Sequence, residues 1–318
     1  MDDPARLEPQ ASNLNRTMFD QADKLRQLVR ETTKGQPILK PGVPLVAISG
    51  AQRGVGTSTV AIHLAHELAQ LGKRVVLVDA NILAPRLAGK LDISCYSGLA
   101  DVLNGRRSVP EVLEQTGDGI QLLPGVDLMS NESGLNTQAV GRLVAELRSL
   151  QNNTDLVLID AGAAMNPWIE RLWTSAMQVF LVTTPEPSTV LESYATVKLA
   201  PWVEIDGRLR LVVNRCNEVD LGIRASDGFT STCRRFLGMK LLGEAAVLAF
   251  DSQLPSGTRT LSHRSPFRRS LRLLAADLLS QSYTLQGSKC PAKNVPTTPD
   301  AQMASLVDSS PQTAHSLL

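Results

Sequence analysis

The chain has 318 residues, of which 43% are hydrophobic and 20% are charged, a composition typical of globular proteins with a sizeable core. A formal net charge of +1 and an aromatic content of only 4% argue against nucleic-acid binding by bulk charge or by base stacking. The four cysteines, at positions 95, 216, 233 and 290, form no paired motif. This spacing excludes a zinc ribbon or a disulfide framework and favours a reducing, cytoplasmic location.

The N-terminal region, residues 1–40, is predicted to be flexible apart from one amphipathic helix at about residues 17–31. Thr17 followed by Asp20 resembles a capping box. Apolar residues then recur at helical spacing, at Met18, Ala22, Leu25 and Val29. Gly35 and the prolines at 37, 41 and 44 separate this helix from the rest of the chain. Two alternatives stay open: the helix docks on the chain's own core, or it binds a partner.

Residues 41–285 are predicted to form one α/β domain. Apolar runs typical of buried strands lie at 45–49, 74–79, 120–123, 155–160, 177–183 and 209–214. Helical patterns lie between them, beginning at Ser58 and near 84–91, 97–103, 108–115 and 136–150. Strands that are apolar on both faces and alternate with helices indicate a doubly wound, mainly parallel sheet covered by helices on both faces. In such folds the ligand binds at the carboxyl ends of the strands.

A glycine-containing loop comes directly after the first predicted strand, in the sequence LVAISGAQRGVGTST from Leu45 to Thr59. Gly54 and Gly56 stand immediately before the helix that begins at Ser58. A strand, a glycine loop and a helix N-terminus present backbone N–H groups and a positive helix end to a phosphate. The loop therefore predicts a phosphate site, although an ordinary turn with incidental glycines remains the alternative for this segment alone.

Two aspartates close apolar strands at the same edge of the predicted sheet, Asp79 in VVLVDAN and Asp160 in LVLIDAG. Carboxylates beside a phosphate site are suited to hold Mg²⁺ or its water ligands, and the hydroxyl of Ser58 would complete that set. Asp79 is also placed to orient an attacking water. The alternative is that both aspartates cap the helices that come after them.

A terminal helix is predicted at 267–281, with an apolar stripe at Phe267, Leu271, Leu274 and Leu278. Arg268, Arg269 and Arg272 flank the stripe, a pattern that fits either a core helix or a weak peripheral contact with the membrane. No apolar run approaches the roughly 20 residues that a membrane-spanning helix needs. Residues 286–318 are rich in polar residues without periodicity and are predicted to be disordered.

The phosphate loop resembles the deviant Walker A motif of the MinD/ParA-like P-loop ATPases, KGGxGK[ST]T. Gly54-Val55-Gly56 and Ser58-Thr59 match this motif. Both family lysines are replaced, by Gln52 and Thr57, and Arg53 stands in place of a glycine. The resemblance implies a degenerate Walker A motif in which hydrolysis is weak or lost.

The resemblance extends over residues 45–281 and is strongest to the flagellar-regulator branch of this family, FlhG (YlxH). Four segments match that branch in order: Asp20-Gln21-Ala22 with Leu25-Arg26, Thr183–Ser188 with Tyr194 and Lys198, Leu211–Arg215, and Arg234–Gly238. The first is the branch's activator motif and is the most discriminating. The resemblance implies that these N-terminal residues bind an FlhF-type signal-recognition GTPase, with Gln21 as the main polar contact.

The same resemblance implies ATP or ADP with Mg²⁺ as cofactors and a nucleotide-dependent homodimer. The implied nucleotide-binding residues are 52–59, namely Gln52, Arg53, Gly54, Val55, Gly56, Thr57, Ser58 and Thr59, together with Asn214 and Arg215 on the base side. The implied metal ligands are Ser58, Asp79 and Asp160. Three alternatives stay open: an active ATPase that positions another cargo with Arg53 as its lysine substitute, a tyrosine kinase of the same fold, and a scaffold without nucleotide.

Overall fold

The computed structural model describes residues 42–117, 119–125, 137–163, 165–201, 204–254 and 261–287, with side chains placed up to Gln281 in the last segment. The predicted N-terminal helix, including Asp20, Gln21, Ala22, Leu25 and Arg26, lies outside the described residues. The predicted C-terminal tail also lies outside them, except that the last helix continues to Gly287.

Eight strands form one sheet, and nine α-helices accompany it in the described part of the chain. The strands are β1 Leu45–Gly50, β2 Val75–Asp79, β3 Glu114–Gln115, β4 Ile120–Leu123, β5 Leu156–Ala163, β6 Gln178–Thr183, β7 Leu209–Cys216 and β8 Ala246–Ala249. The helices are α1 Thr57–Gln70, α2 Leu87–Lys90, α3 Leu99–Leu103, α4 Val109–Val112, α5 Thr137–Ser149, α6 Pro167–Ser175, α7 Pro187–Leu199, α8 Val219–Leu237 and α9 Pro266–Gly287.

The sheet order is β3-β4-β2-β5-β1-β6-β7-β8. Every neighbouring pair is parallel except β3 and β4, which pair antiparallel. The predicted doubly wound, mainly parallel sheet is therefore confirmed. Strand β1, which leads into the glycine loop, lies between β5 and β6 at the centre of the sheet.

The two faces of the sheet bury separate apolar clusters, because successive side chains of a strand point to opposite faces. Within β1, Val46 and Ile48 pack in the cluster that contains α1, α2 and α9. Leu45 and Ala47 pack in the cluster that contains α3, α4, α5, α6 and α8. Helices therefore cover both faces, as predicted.

The stripe of the last helix is part of this core. Phe267, Leu271, Leu274 and Leu278 are each at most 2% exposed, which confirms the interpretation of α9 as a core helix. Arg268 is buried as well, and its Nε donates to Glu67 Oε1 on α1 at 2.6 Å. The expectation that Arg268 flanks the stripe on the surface is therefore wrong, whereas Arg269 and Arg272 are exposed.

Three local predictions differ from the structure. The helix predicted near 108–115 ends at Val112, and Glu114–Gln115 form the short strand β3 instead. The helix predicted near 84–91 begins only at Leu87, where the carboxylate of Asp79 accepts hydrogen bonds from two backbone N–H groups. The edge strand β8 was not predicted, because its four small apolar residues carry no alternating pattern.

Candidate functional site

The glycine loop lies at the carboxyl end of β1 and leads directly into α1. Gly54 and Gly56 have φ values of 93° and 98°, a left-handed conformation that side chains with a Cβ rarely adopt. Gly56 is also the N-cap of α1, and no side chain caps this end of the helix. The N–H groups of the first helical turn are thus left to face a ligand, which is the arrangement of a phosphate site.

Asn214, near the carboxyl end of β7, fixes the shape of the loop. Its Nδ2 donates to the carbonyl of Val55 at 2.8 Å, and both groups are buried. A Cβ on Gly56 would lie 2.3 Å from the same Nδ2. Glycine is therefore required at 56 by close approach as well as by backbone conformation. Asn214 also lines a cleft beside the loop, on the side where the nucleotide base is predicted to bind.

A cleft of about 180 Å³ opens above the loop. Its lining combines the loop and first turn of α1 with the segments directly after β2 and β5. Four of the lining residues are basic and none is acidic: Arg53, Arg86, Lys90 and Arg215. None of the four forms an ion pair with another described side chain. An uncompensated group of cations is suited to a polyanionic ligand.

Asp160 lies in the carboxyl half of β5, which continues to Ala163, and is directly opposite Asp79 in the register of the sheet. Burial raises the pKa of Asp160 to about 7, the charge of Asp79 adds to this rise, and the nearby Ser58 side chain opposes it. Its Oδ1 accepts from the N–H of Gly162 at 3.1 Å. Its Oδ2 is buried and has no hydrogen-bond partner among the described residues, a rare condition that normally has a functional explanation.

The orphaned Asp160 oxygen beside Ser58 fits a hard cation or its water ligand, because Mg²⁺ prefers oxygen donors. Ser58 and Asp160 are the residues that would hold Mg²⁺ here. When bound, the ion would neutralise phosphate charge next to the glycine loop.

Asp79 has a different role in this conformation. Its Oδ2 accepts from the N–H groups of Arg86 and Leu87, each at 2.8 Å, and its Oδ1 accepts from the N–H of Asn81 at 3.4 Å. Burial raises the pKa of Asp79, and these three backbone donors oppose the rise. The carboxylate thus caps α2, which is the alternative that the sequence left open, and this favours Asp160 over Asp79 as a metal ligand.

A second cleft, of about 350 Å³, adjoins the first. The two share Gly56, Thr59, Lys90 and Arg215. The second cleft adds Asn214, Phe250 and Asp251, so it has an apolar wall and polar groups. Such a lining suits an organic group attached to the phosphates.

The structure brings most of the predicted nucleotide-binding residues together. Gln52, Arg53, Gly54, Gly56, Thr57, Ser58, Thr59 and Arg215 line the first cleft. Val55 is buried beneath the loop. Sequence reasoning missed Asn81, Arg86, Lys90 and Gly162, which also line this cleft. Asn81 could have been found from its position two residues after Asp79, whereas Lys90 belonged to no motif.

Two tryptophans of α6 form hydrogen bonds with the strand ends that carry the site, and neither contact was predicted from the sequence. Trp173 Nε1 donates to Ser49 Oγ at 2.9 Å, and Trp168 Nε1 donates to the Ala80 carbonyl at 2.8 Å. Both indoles are buried. They connect the carboxyl ends of β1 and β2 to one helix, so the edge that carries the loop has a fixed shape.

Comparison with known proteins finds relatives that share this region of the chain. A family profile described as an AAA domain matches residues 43–194. The antiactivator FleN of Pseudomonas aeruginosa is 27% identical over 212 residues, which cover 67% of this chain and 75% of FleN. The flagellum site-determining protein YlxH of Helicobacter pylori is 26% identical over 186 residues, which cover 57% of this chain and 62% of YlxH. This chain thus spans less than two thirds of YlxH.

Solved structures show the same fold. The septum site-determining protein MinD of Pyrococcus horikoshii, in complex with Mg-ADP, superposes with a TM-score of 0.61 at 19% identity over 76% of this chain and 97% of that one. The cell division ATPase MinD of Pyrococcus furiosus gives a TM-score of 0.60 at 22% identity over 75% of this chain and 99% of that one. The chain therefore has the fold of the MinD/ParA-like P-loop proteins, and its sequence is similar to the antiactivator FleN and to the flagellum site-determining protein YlxH.

Proposed function

We propose that this protein binds Mg-ATP or Mg-ADP and regulates the number or placement of flagella, with weak or no ATP hydrolysis. The observation that carries the nucleotide assignment is the cleft above the N-terminus of α1, whose lining has no acidic residue and four basic residues without an ion-pair partner among the described side chains. The similarity to FleN and YlxH supports the flagellar role. Nucleotide binding is tested by titrating the purified chain with Mg-ATP in a calorimeter. Absence of any binding would contradict the proposal.

Weak hydrolysis is expected from the loop residues. Thr57 is largely buried at the start of α1 and its hydroxyl lies against Gly50. A threonine there cannot place a positive charge on a phosphate, and a charge-assisted contact of that kind stabilises by about 1.5–3 kcal/mol. Gln52 is likewise neutral. We expect Thr57→Lys, alone or with Gln52→Lys, to raise ATP affinity or turnover. Wild-type turnover at the rates of active relatives, unchanged by these substitutions, would refute the weak-hydrolysis part of the proposal.

The partner that we propose is an FlhF-type GTPase, contacted by the N-terminal motif around Gln21. The motif's resemblance to the FlhG activator supports this assignment. A peptide of residues 14–32 should stimulate the GTPase of the partner, and a peptide with Gln21→Ala should not. In the full chain, the same substitution should leave the thermal stability of the P-loop domain unchanged. A wild-type peptide that neither binds nor stimulates the GTPase would exclude this partner.

A second candidate is an active ATPase that positions another cargo as a nucleotide-dependent dimer. Arg53 favours it, because this residue is exposed on the loop and lines the cleft, where it could carry charge toward the nucleotide of a second copy. A MinD of Aquifex aeolicus has been solved in complex with MinC, which shows that proteins of this fold form assemblies. Turnover in Mg-ATP that depends on protein concentration and is lost in Arg53→Ala would favour this candidate over the first.

No helix in the described ranges combines the length and apolarity needed to cross a membrane. For the chain itself we propose a cytoplasmic location, with at most weak peripheral contact through the exposed arginines of α9.

A further inference from the structure

One lysine faces the phosphate cleft from outside the glycine loop. Lys90, the last residue of α2, lines both the cleft above the loop and the adjoining larger cleft. Among the described residues that line these clefts it is the one lysine. It shares this position with Arg215 of β7 and with Gly56 and Thr59, which belong to the loop and to the first turn of α1. Lys90 thus lies at the junction of the two clefts.

The fold holds this lysine in a defined place. Asp79 Oδ2 accepts from the N–H of Leu87 at 2.8 Å, which fixes the start of α2 to the end of β2. The Leu87 side chain is fully buried in the cluster that also contains α1. One turn later, the N–H of Lys90 donates to the carbonyl of Arg86 at 2.9 Å. The buried Leu87 side chain and the hydrogen bonds of this turn therefore fix the position of Lys90 at the cleft, although α2 is only four residues long.

Among the described residues, Lys90 has no ion-pair partner, and it faces the cleft. Its side chain forms no ion pair or hydrogen bond with any other side chain in the described ranges. It lines the same cleft as Gly54 and Gly56 of the loop and as Gly162, two residues after Asp160. The lysine is therefore close enough to act on a group bound between the loop and Asp160.

The other cations of the cleft are placed differently. Arg53, Arg86 and Arg215 are exposed, whereas Lys90 is only partly exposed. The first turn of α1 supplies backbone N–H groups but has no charged side chain of its own, because Thr57, Ser58 and Thr59 are all neutral. The charge that compensates a phosphate chain held at this turn must therefore come from outside the turn, and Lys90 is the least exposed of the four cations that line the cleft.

We propose that Lys90 is the cation that binds the phosphate chain of the nucleotide and so replaces the positive charge that Thr57, at the start of α1, cannot provide. The inference rests on the proposed nucleotide binding and adds to it the residue that neutralises the ligand. An ammonium group on a flexible stem suits this role, because it can track a phosphate chain without a fixed geometry.

The test is the affinity of the full chain for Mg-ATP, measured by calorimetry on the wild type and on five variants. Lys90→Met removes the charge and keeps most of the apolar stem, and we expect its Kd to rise about tenfold or more, as for one lost charge-assisted contact. Lys90→Arg keeps the charge and should stay within about threefold of the wild type, a change of less than 1 kcal/mol. Lys240→Met is the matched control, because Lys240 is exposed and lies away from both clefts.

The fourth variant is a rescue. Thr57 lines the same cleft, so Thr57→Lys in the Lys90→Met background should restore most of the lost affinity. The gain in affinity should exceed the gain that the fifth variant, Thr57→Lys alone, shows over the wild type, because Lys90 is still present in that variant. Thermal unfolding of each variant without ligand reports whether the fold is intact.

Three results would overturn the inference. If Lys90→Met binds Mg-ATP as tightly as the wild type, Lys90 does not bind the phosphates while nucleotide binding itself stands. If Lys90→Arg loses as much affinity as Lys90→Met and Thr57→Lys rescues nothing, the effect is one of shape and not of charge. If the wild type binds no Mg-ATP, the proposed function is wrong, and the inference about Lys90, which depends on it, is wrong as well.

Discussion

The side-chain amide of Asn214 holds the glycine loop by donating to the carbonyl of Val55 at 2.8 Å. The two residues are 159 positions apart in the chain, so this bond joins strand β7 to the loop after β1. The bond is buried, and Gly54 and Gly56 have no side chain that could hold the loop by a hydrogen bond of its own. The loop shape is therefore a tertiary property and not only a consequence of its glycines.

We expect Asn214→Leu to destabilise the chain by about 1–3 kcal/mol, because a buried carbonyl would lose its donor. The loop should also loosen, so the affinity for Mg-ATP should fall together with the free energy of unfolding. Chemical denaturation and calorimetry measure the two effects. Asn217→Leu is the control, because Asn217 is exposed three residues further along. Equal stability of the two variants would contradict the structural role of Asn214.

The paired aspartates Asp79 and Asp160 should respond differently to the same substitution. Asp160→Asn should leave the fold nearly as stable as the wild type, because burial already raises the pKa of Asp160 to about 7 and the neutral side chain is well populated at neutral pH. It should nevertheless weaken the Mg²⁺ dependence of nucleotide binding, since the orphaned Oδ2 is the oxygen offered to the ion. Titrating the nucleotide with and without Mg²⁺ measures this loss.

Asp79→Asn should instead act on stability. One carboxylate oxygen of Asp79 accepts from both Arg86 and Leu87, and a neutral amide weakens such charge-assisted bonds by about 1 kcal/mol or more. The start of α2 should loosen, which urea denaturation would report. If Asp79→Asn is as stable as the wild type but abolishes the Mg²⁺ dependence, Asp79 is the metal ligand and the assignment to Asp160 is wrong.

The sequence predicted the sheet well and the site only in part. Strands such as β2 and β5 are apolar on both faces, so their burial and parallel pairing can be inferred from the residues alone. The role of Asp79 cannot, because it depends on α2 folding back onto a carboxylate seven and eight residues earlier. Lys90 was missed for the same reason, since no local pattern shows where a four-residue helix directs its last side chain.

His63 on α1 should make the protein less stable in mild acid. Burial, followed by the charges of His66 and Lys90, lowers the pKa of His63 from 6.5 to about 4. Between these two pH values the unfolded chain binds a proton that the folded chain does not, so the free energy of unfolding falls as the pH decreases from 6.5 toward 4. At about 1.4 kcal/mol per pH unit, the total loss approaches about 3 kcal/mol.

The His63 contribution can be isolated by comparison with His63→Leu. Between pH 7.5 and 5, the stability of the wild type should decrease more steeply than that of the variant. Carboxyl groups that titrate in this range, including Asp160, are present in both proteins and cancel in the difference. Parallel stability curves would mean that His63 binds its proton equally in the folded and unfolded chains.

The apolar stripe of α9 should be unable to serve as a membrane anchor, because it is already committed to the core. Leu271 is fully buried, whereas Leu273 on the same helix is 73% exposed. We expect Leu271→Asp to unfold the domain, since it would bury an unpaired carboxylate, and Leu273→Asp to leave it folded. Circular dichroism during thermal unfolding distinguishes the two variants.

Binding to vesicles of anionic lipid should accordingly be weak for the wild type. Any residual contact through the exposed Arg269 and Arg272 should disappear with added salt, because exposed charges are screened over about 8 Å at physiological ionic strength. Strong sedimentation with these vesicles, lost in a Leu271→Asp variant that remains folded, would show that α9 leaves the core to bind lipid.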